Sequence, residues 1–113
     1  MARYLISFKN GAMVIPEEDM PDVSKAAHAV VQEARDAGVF VFGGGLPLDP
    51  DYDVVATDGT VTDGPYPESK EFIGGFIVVD VPSREEAVAW AAKVAVACRC
   101  AQEVREFLPD AAV

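Results

Sequence analysis

A chain of 113 residues, half of them apolar and a quarter charged, can bury a single core and has the composition of neither a disordered nor a fibrous protein. Nineteen acidic against nine basic side chains leave a formal net charge of −10, which repels a phosphate backbone and argues against nucleic acid as a partner. The expectation is therefore one soluble domain over residues 1–113, its acidity serving solubility.

The first strand is predicted over Arg3 to Phe8, with no basic-then-apolar export pattern before it. Pro16-Glu17-Glu18-Asp19-Met20-Pro21 then opens a helix, with prolines suited to a first turn and acids at the positive end of the dipole. Val23, Ala27, Val30 and Ala34 draw its apolar stripe, and Gly38 stops it. Val39 to Phe42 is a continuous apolar run, as in a strand covered on both faces or at a subunit contact, and Gly43-Gly44-Gly45 ends it. Pro47 to Asp53 reads as loop. Val54 to Thr57 and Thr60 to Thr62 flank Asp58-Gly59, the signal for a two-residue type I′ hairpin. A shaped loop from Asp63 to Glu71 follows, then a strand over Phe76 to Val81. Ser83 three residues before Glu86 is a capping box that opens the second helix. Ala87, Ala91, Val94 and Cys98 form its buried stripe, with Trp90 and Lys93 at its sides. This apolar run is too short to span a bilayer, so neither membrane nor export is indicated and the predicted location is cytoplasmic. Gln102 to Phe107 closes the chain as a strand before Pro109.

Strands alternating with crossover helices predict two split βαβ halves in one sheet with both helices on one face, the ferredoxin-like α+β arrangement. The other face then carries apolar side chains that need cover. A second subunit supplies it, so a homodimer is expected.

Asp63-Gly64-Pro65-Tyr66-Pro67-Glu68-Ser69-Lys70-Glu71, followed by Gly74-Gly75, fits D-G-P-[FY]-x-E-x-K-E-x-x-G-G. It resembles the signature of the YCII-related family, the DGPF domain proteins, and the resemblance covers nearly the whole chain. It implies two ferredoxin-like sheets facing each other as a dimeric α/β barrel. Two readings of function follow from it. In one, a small polar metabolite binds in the dimer cleft and undergoes cofactor-free acid/base chemistry. In the other, the protein is a non-catalytic regulatory or interaction module, since such proteins are found associated with extracytoplasmic-function sigma factors.

In the first reading Asp63 is the candidate base and Lys70 its electrostatic partner, with Gly64, Pro65, Tyr66, Glu68 and Glu71 forming the ligand-binding rim. Asp63 is equally suited to accept amides as an Asx-turn, and Lys70 to balance its acidic neighbours on a solvated loop. Tyr66 offers either a hydroxyl to a ligand or a plug that fixes the loop. His28, the only histidine, lies on the first helix beside the apolar stripe. Resemblance to family members with a His-Asp dyad implies a role for it, although it stands about one residue from the expected place. Cys98 and Cys100 lack the further ligands that zinc needs and read as reduced, core-packing thiols. Gly43 to Gly45 lack nucleotide-binding spacing and read as a bulge or a close approach of backbone or ligand. Neither metal nor cofactor is expected.

Overall fold

A computed structural model describes residues 1–47, 52–63 and 72–113. β1 (Ala2–Lys9) leads through a short 3-10 turn (Glu17–Asp19) into α1 (Met20–Asp36), and β2 (Phe40–Gly45) follows. β3 (Asp53–Val55) and β4 (Val61–Asp63) form a two-stranded hairpin. β5 (Ile73–Val81), α2 (Arg84–Cys98) and β6 (Glu103–Glu106) complete the chain. The main sheet runs β2-β5-β1-β6, antiparallel throughout, with the two longest strands at its centre. This is the ferredoxin-like order predicted from the alternation of elements.

Local chemistry sets the helix ends. Pro21 occupies the first turn of α1, where its missing amide leaves no bond unmade. Gly38 takes φ of 75° just past the other end, and the amides of Gly38 and Val39 close onto Arg35 and Ala34 carbonyls. Ser83 caps α2, its Oγ accepting from the Glu86 amide at 3.3 Å. Val23 and Ala34 are buried on α1, and Ala87, Ala91 and Cys98 on α2, as the stripes require.

The strand register divides the sheet into two unlike faces. Tyr4 pairs with Val79, Ile6 with Ile77 and Phe8 with Gly75, and these face the helices. Tyr4, Ile6, Ile77, Val79 and Val81 join Ala87 and Ala91 of α2 in the core. Ile6, Val79 and Val81 are fully enclosed, each burial contributing about 1.5–3 kcal/mol. The Tyr4 hydroxyl reaches the sheet edge and donates to Glu106 Oε1 at 2.8 Å. On the opposite face Leu5 pairs with Val78 and Arg105, Ser7 with Phe76 and Glu103, and Phe42 with Val78. No helix among the described residues covers that face. Phe42 is 56% exposed there, its ring edge-on to Phe76 with centroids 5.4 Å apart.

Two local expectations are corrected. Gly43-Gly44-Gly45 does not end β2 but continues it, paired with Ile77, Phe76 and Gly75. At Gly43 the strands approach so closely that a Cβ would lie 2.5 Å from the Phe76 carbonyl oxygen, so only glycine fits. The bulge sits one step earlier, at Val41 between Phe40 and Phe42. The hairpin turns through three residues instead of two. Gly59 donates its amide to Ala56 and alone in the turn takes positive φ, 88°, whereas a type I′ turn needs positive φ at Asp58 too. Asp58 instead accepts the Thr60 amide at 2.9 Å, which holds its carboxyl below the usual range.

Gly43 and Gly44 make a direct test of this strand contact. Gly43→Ala should lose about 1–3 kcal/mol through overpacking against β5. Gly44→Ala, whose methyl meets nothing and whose φ is ordinary, should gain about 0.4–1 kcal/mol. Urea denaturation of the two variants checks both signs.

Candidate functional site

Between α1 and the sheet lies a cleft of about 450 Å³, and its cause is visible in the side chains that are missing. Under α2 the helix face of the sheet is filled by Tyr4, Val79 and Val81. Further along, the same face is Gly43 and Gly45 on β2 and Gly75 on β5. The Phe8 ring stands in for what β5 lacks, since a Cβ at Gly74 or Gly75 would come within 2.7 and 2.8 Å of it. Gly45 has ordinary φ and open space where a side chain would go. Neither backbone strain nor a neighbour among the described residues requires glycine there, and bare backbone is what an approaching ligand meets.

The roof is α1. Met20, Val23, Ala27 and Val31 present carbon, while Ser24, His28 and Arg35 stand at the exposed rim. Phe40 and Met13 complete the sides, and Cys98 and Gln102 close the far end. The helix is held against α2 by the Lys93–Glu33 ion pair and by Arg99 Nη1 to Asp19 Oδ2 at 2.9 Å. Arg35 lies 5.0 Å over the Phe40 ring, which fixes a cation beside the opening. The cleft is thus mostly apolar with a few polar groups at its mouth, and no carboxylate is among the described residues that line it.

His28, alone of the catalytic candidates among the described residues, lines this cleft. Asp63 stands elsewhere, exposed at the end of β4 and directly opposite Asp53 in the hairpin register. Like charges so placed repel, so Asp63→Asn gains stability whether or not the carboxylate does chemistry. Gly64, Pro65, Tyr66, Glu68, Lys70 and Glu71 lie outside the described residues. Cys98 is buried and Cys100 half-buried, and no cluster of three metal-ligating side chains occurs among the described residues. Burial pushes both thiols above their usual value, and Cys100 adds to the shift of Cys98.

The sequence alone singles out none of Ser24, Arg35 and Gln102 as a site residue, while a close approach of backbone or ligand is expected at Gly43 to Gly45. Arg35 and Ser24 flank the α1 stripe on one side, a signal that exists in the spacing but matches any solvated helix edge. Gly45 carries a better one: a glycine inside a strand without a turn to make.

Comparison with known proteins supplies the wider frame. The YCII-related domain profile matches residues 2–109. No curated protein matches the chain. Among solved structures, the chain is similar to the 5-chloro-2-hydroxyhydroquinone dehydrochlorinase of Burkholderia phenoliruptrix AC1100, determined in complex with 2,5-dihydroxybenzoquinone. Identity is 15%, the match covers 94% of this chain and 93% of that one, and the TM-score is 0.52. At that identity the likeness establishes the shared fold.

The thiols give a prediction with a fixed sign. Since the neutral forms are favoured, alkylation by iodoacetamide at pH 8 should be slower at both cysteines than at a free cysteine, with Cys98 slower than Cys100. Rates should rise with pH and keep rising where those of a free cysteine have levelled off, and peptide mapping of a time course measures this.

Proposed function

The chain belongs to the YCII-related family, and on that premise we propose that it binds a small, flat, weakly polar molecule in the cleft between α1 and the sheet, where His28 exchanges a proton with it. The observation that carries this reading is the shape and chemistry of the cleft: ligand-sized, walled by aromatic rings and thioethers, floored in part by bare backbone. Phe8 and the Gly45 peptide suit a planar ring, because a flat molecule needs close approach on its faces and little on its edge. Imidazole is the side chain most used for proton transfer, and no other residue lining the cleft serves as well. Burial favours the neutral thiol of Cys98, and Arg35 brings a guanidinium to the rim. Arg35 suits a role as the cation that favours an ionised hydroxyl on the ring.

The solved relative was determined with a hydroxylated ring compound bound, which agrees in size and flatness with such a ligand. The expected polar metabolite therefore gives way, in this proposal, to a hydroxylated aromatic or quinoid ring. A second copy of the chain is proposed to cover the open sheet face, where Phe42, Phe76 and Leu5 present carbon without a helix above them among the described residues. Asp63, with Lys70 as its electrostatic partner, stands as a separate proposal for acid/base chemistry, and variants distinguish it from the cleft.

The probe is 2,5-dihydroxybenzoquinone, titrated calorimetrically. The wild type should bind one molecule per chain. Ala27→Phe, which fills the cleft from its roof, should weaken binding at least tenfold with little change in melting temperature, and Asp63→Asn should leave affinity unchanged. His28→Gln should bind within a few-fold but lose the proton uptake or release that accompanies binding, read as a dependence of the heat on buffer ionisation enthalpy. Unaltered affinity in Ala27→Phe would remove the cleft from the account.

A further inference from the structure

α2 has an apolar face that its own fold does not use. Its inward side carries Ala87, Ala91, Val94 and Cys98, yet the outward side carries Val88, Ala89, Ala92 and Val96. Val88 is 47% and Val96 81% exposed. Between Glu86 and Arg99 the one charged residue is Lys93, and it is turned aside to Glu33 of α1 and to the Trp90 ring, 5.1 Å away. A surface helix normally gives this side to charged and polar groups, so an apolar one marks a contact.

The stripe has a second property, which identifies the partner. Glu85, Val88, Ala92, Val96 and Arg99 are separated by three, four, four and three residues, so the spacing reads the same from either end. Hydrophobic positions match and the terminal charges are opposite. If a second α2 lies antiparallel with Ala92 on the two-fold axis, each Val88 meets the other copy's Val96 and each Glu85 the other copy's Arg99. Glu85 and Arg99 stand about 10 Å along the axis from Ala92, within reach of long side chains across a shallow crossing. Ala89 and Ala92 at the centre let the helix axes approach closely.

Arg99 supports this independently. It ends α2 with φ of 57°, a left-handed conformation that glycine adopts with less strain. An arginine there implies that the side chain is needed. One guanidinium nitrogen holds Asp19, and the fork has donors left for a second carboxylate.

We infer that the outward face of α2 is a self-association surface for a second copy of this chain, closed by two-fold symmetry. It lies on the opposite side of the protomer from the open sheet face and does not depend on the ligand proposal. Its small area makes it a weak contact by itself, visible as concentration-dependent association.

Ala92→Cys tests the axis. Under mild oxidation of the full chain it should give a disulfide between the two engineered thiols, identified by peptide mass, while Ala29→Cys on the exposed side of α1 should give no more cross-linking than wild type. Sedimentation velocity over a concentration series tests the charges. Glu85→Lys alone and Arg99→Glu alone should each weaken association by roughly tenfold, and the double variant should restore it. Val96→Glu should abolish that association step. Cross-linking of Ala92→Cys no greater than in the Ala29→Cys control, or a double variant no better than its singles, would overturn the inference.

Discussion

The arrangement of this protein turns on where its sheet has no side chains. Gly43, Gly45, Gly74 and Gly75 sit on neighbouring strands, and the Phe8 ring covers only the β5 pair. Beneath α2 the core is complete, because Tyr4, Val79 and Val81 rise to meet Ala87 and Ala91. Beneath α1 the floor drops by the depth of a side chain, while α1 is kept at its height by ion pairs to α2 and to Arg99. A cleft is the geometric result. Close packing elsewhere makes it a stable feature, since interiors do not leave such volume without a structural cause.

The chemistry of the cleft follows from which residues ring it. The walls are mostly carbon and leave polar contact to the mouth, where His28, Arg35 and Ser24 stand. In the proposed function His28, without a carboxylate among the described lining residues, accepts a proton and hands it to solvent, and Arg35, pinned on Phe40, favours the anion so formed. Cys98 adds bulk, and burial favours its neutral, less reactive thiol. The two external faces have a different role. One is a sheet face rich in aromatic carbon and the other a helix stripe that is complementary to itself, and both are suited to copies of the same chain.

Much of the fold was legible because its signals are local. Ser83 with Glu86, Gly38 after Ala34, and the period of Ala87, Ala91 and Cys98 each act within a few residues, and each appears where the sequence puts it. Gly43 to Gly45 misled as a strand end because glycine usually interrupts strands, and the reason it does not here is a partner strand about thirty residues away. Asp58-Gly59 marked the hairpin correctly, but its loop length depended on Asp58 keeping negative φ while its carboxylate took the Thr60 amide. The site was the least legible part. A cavity is made by absent atoms from several elements, and no periodicity records it. His28 was named on resemblance, and its neighbours Arg35 and Gln102 come together with it only in three dimensions. Asp63 drew attention through its motif, whereas the hairpin register sets it opposite Asp53 and off the cleft lining.

The most direct measurement is a crystal structure of the protein with 2,5-dihydroxybenzoquinone. The account predicts the ring between Ala27 and Gly45, its face toward Phe8, with a ring oxygen within hydrogen-bond distance of His28. A ring bound instead on the open sheet face or beside Asp63, with the cleft left to solvent, would contradict it.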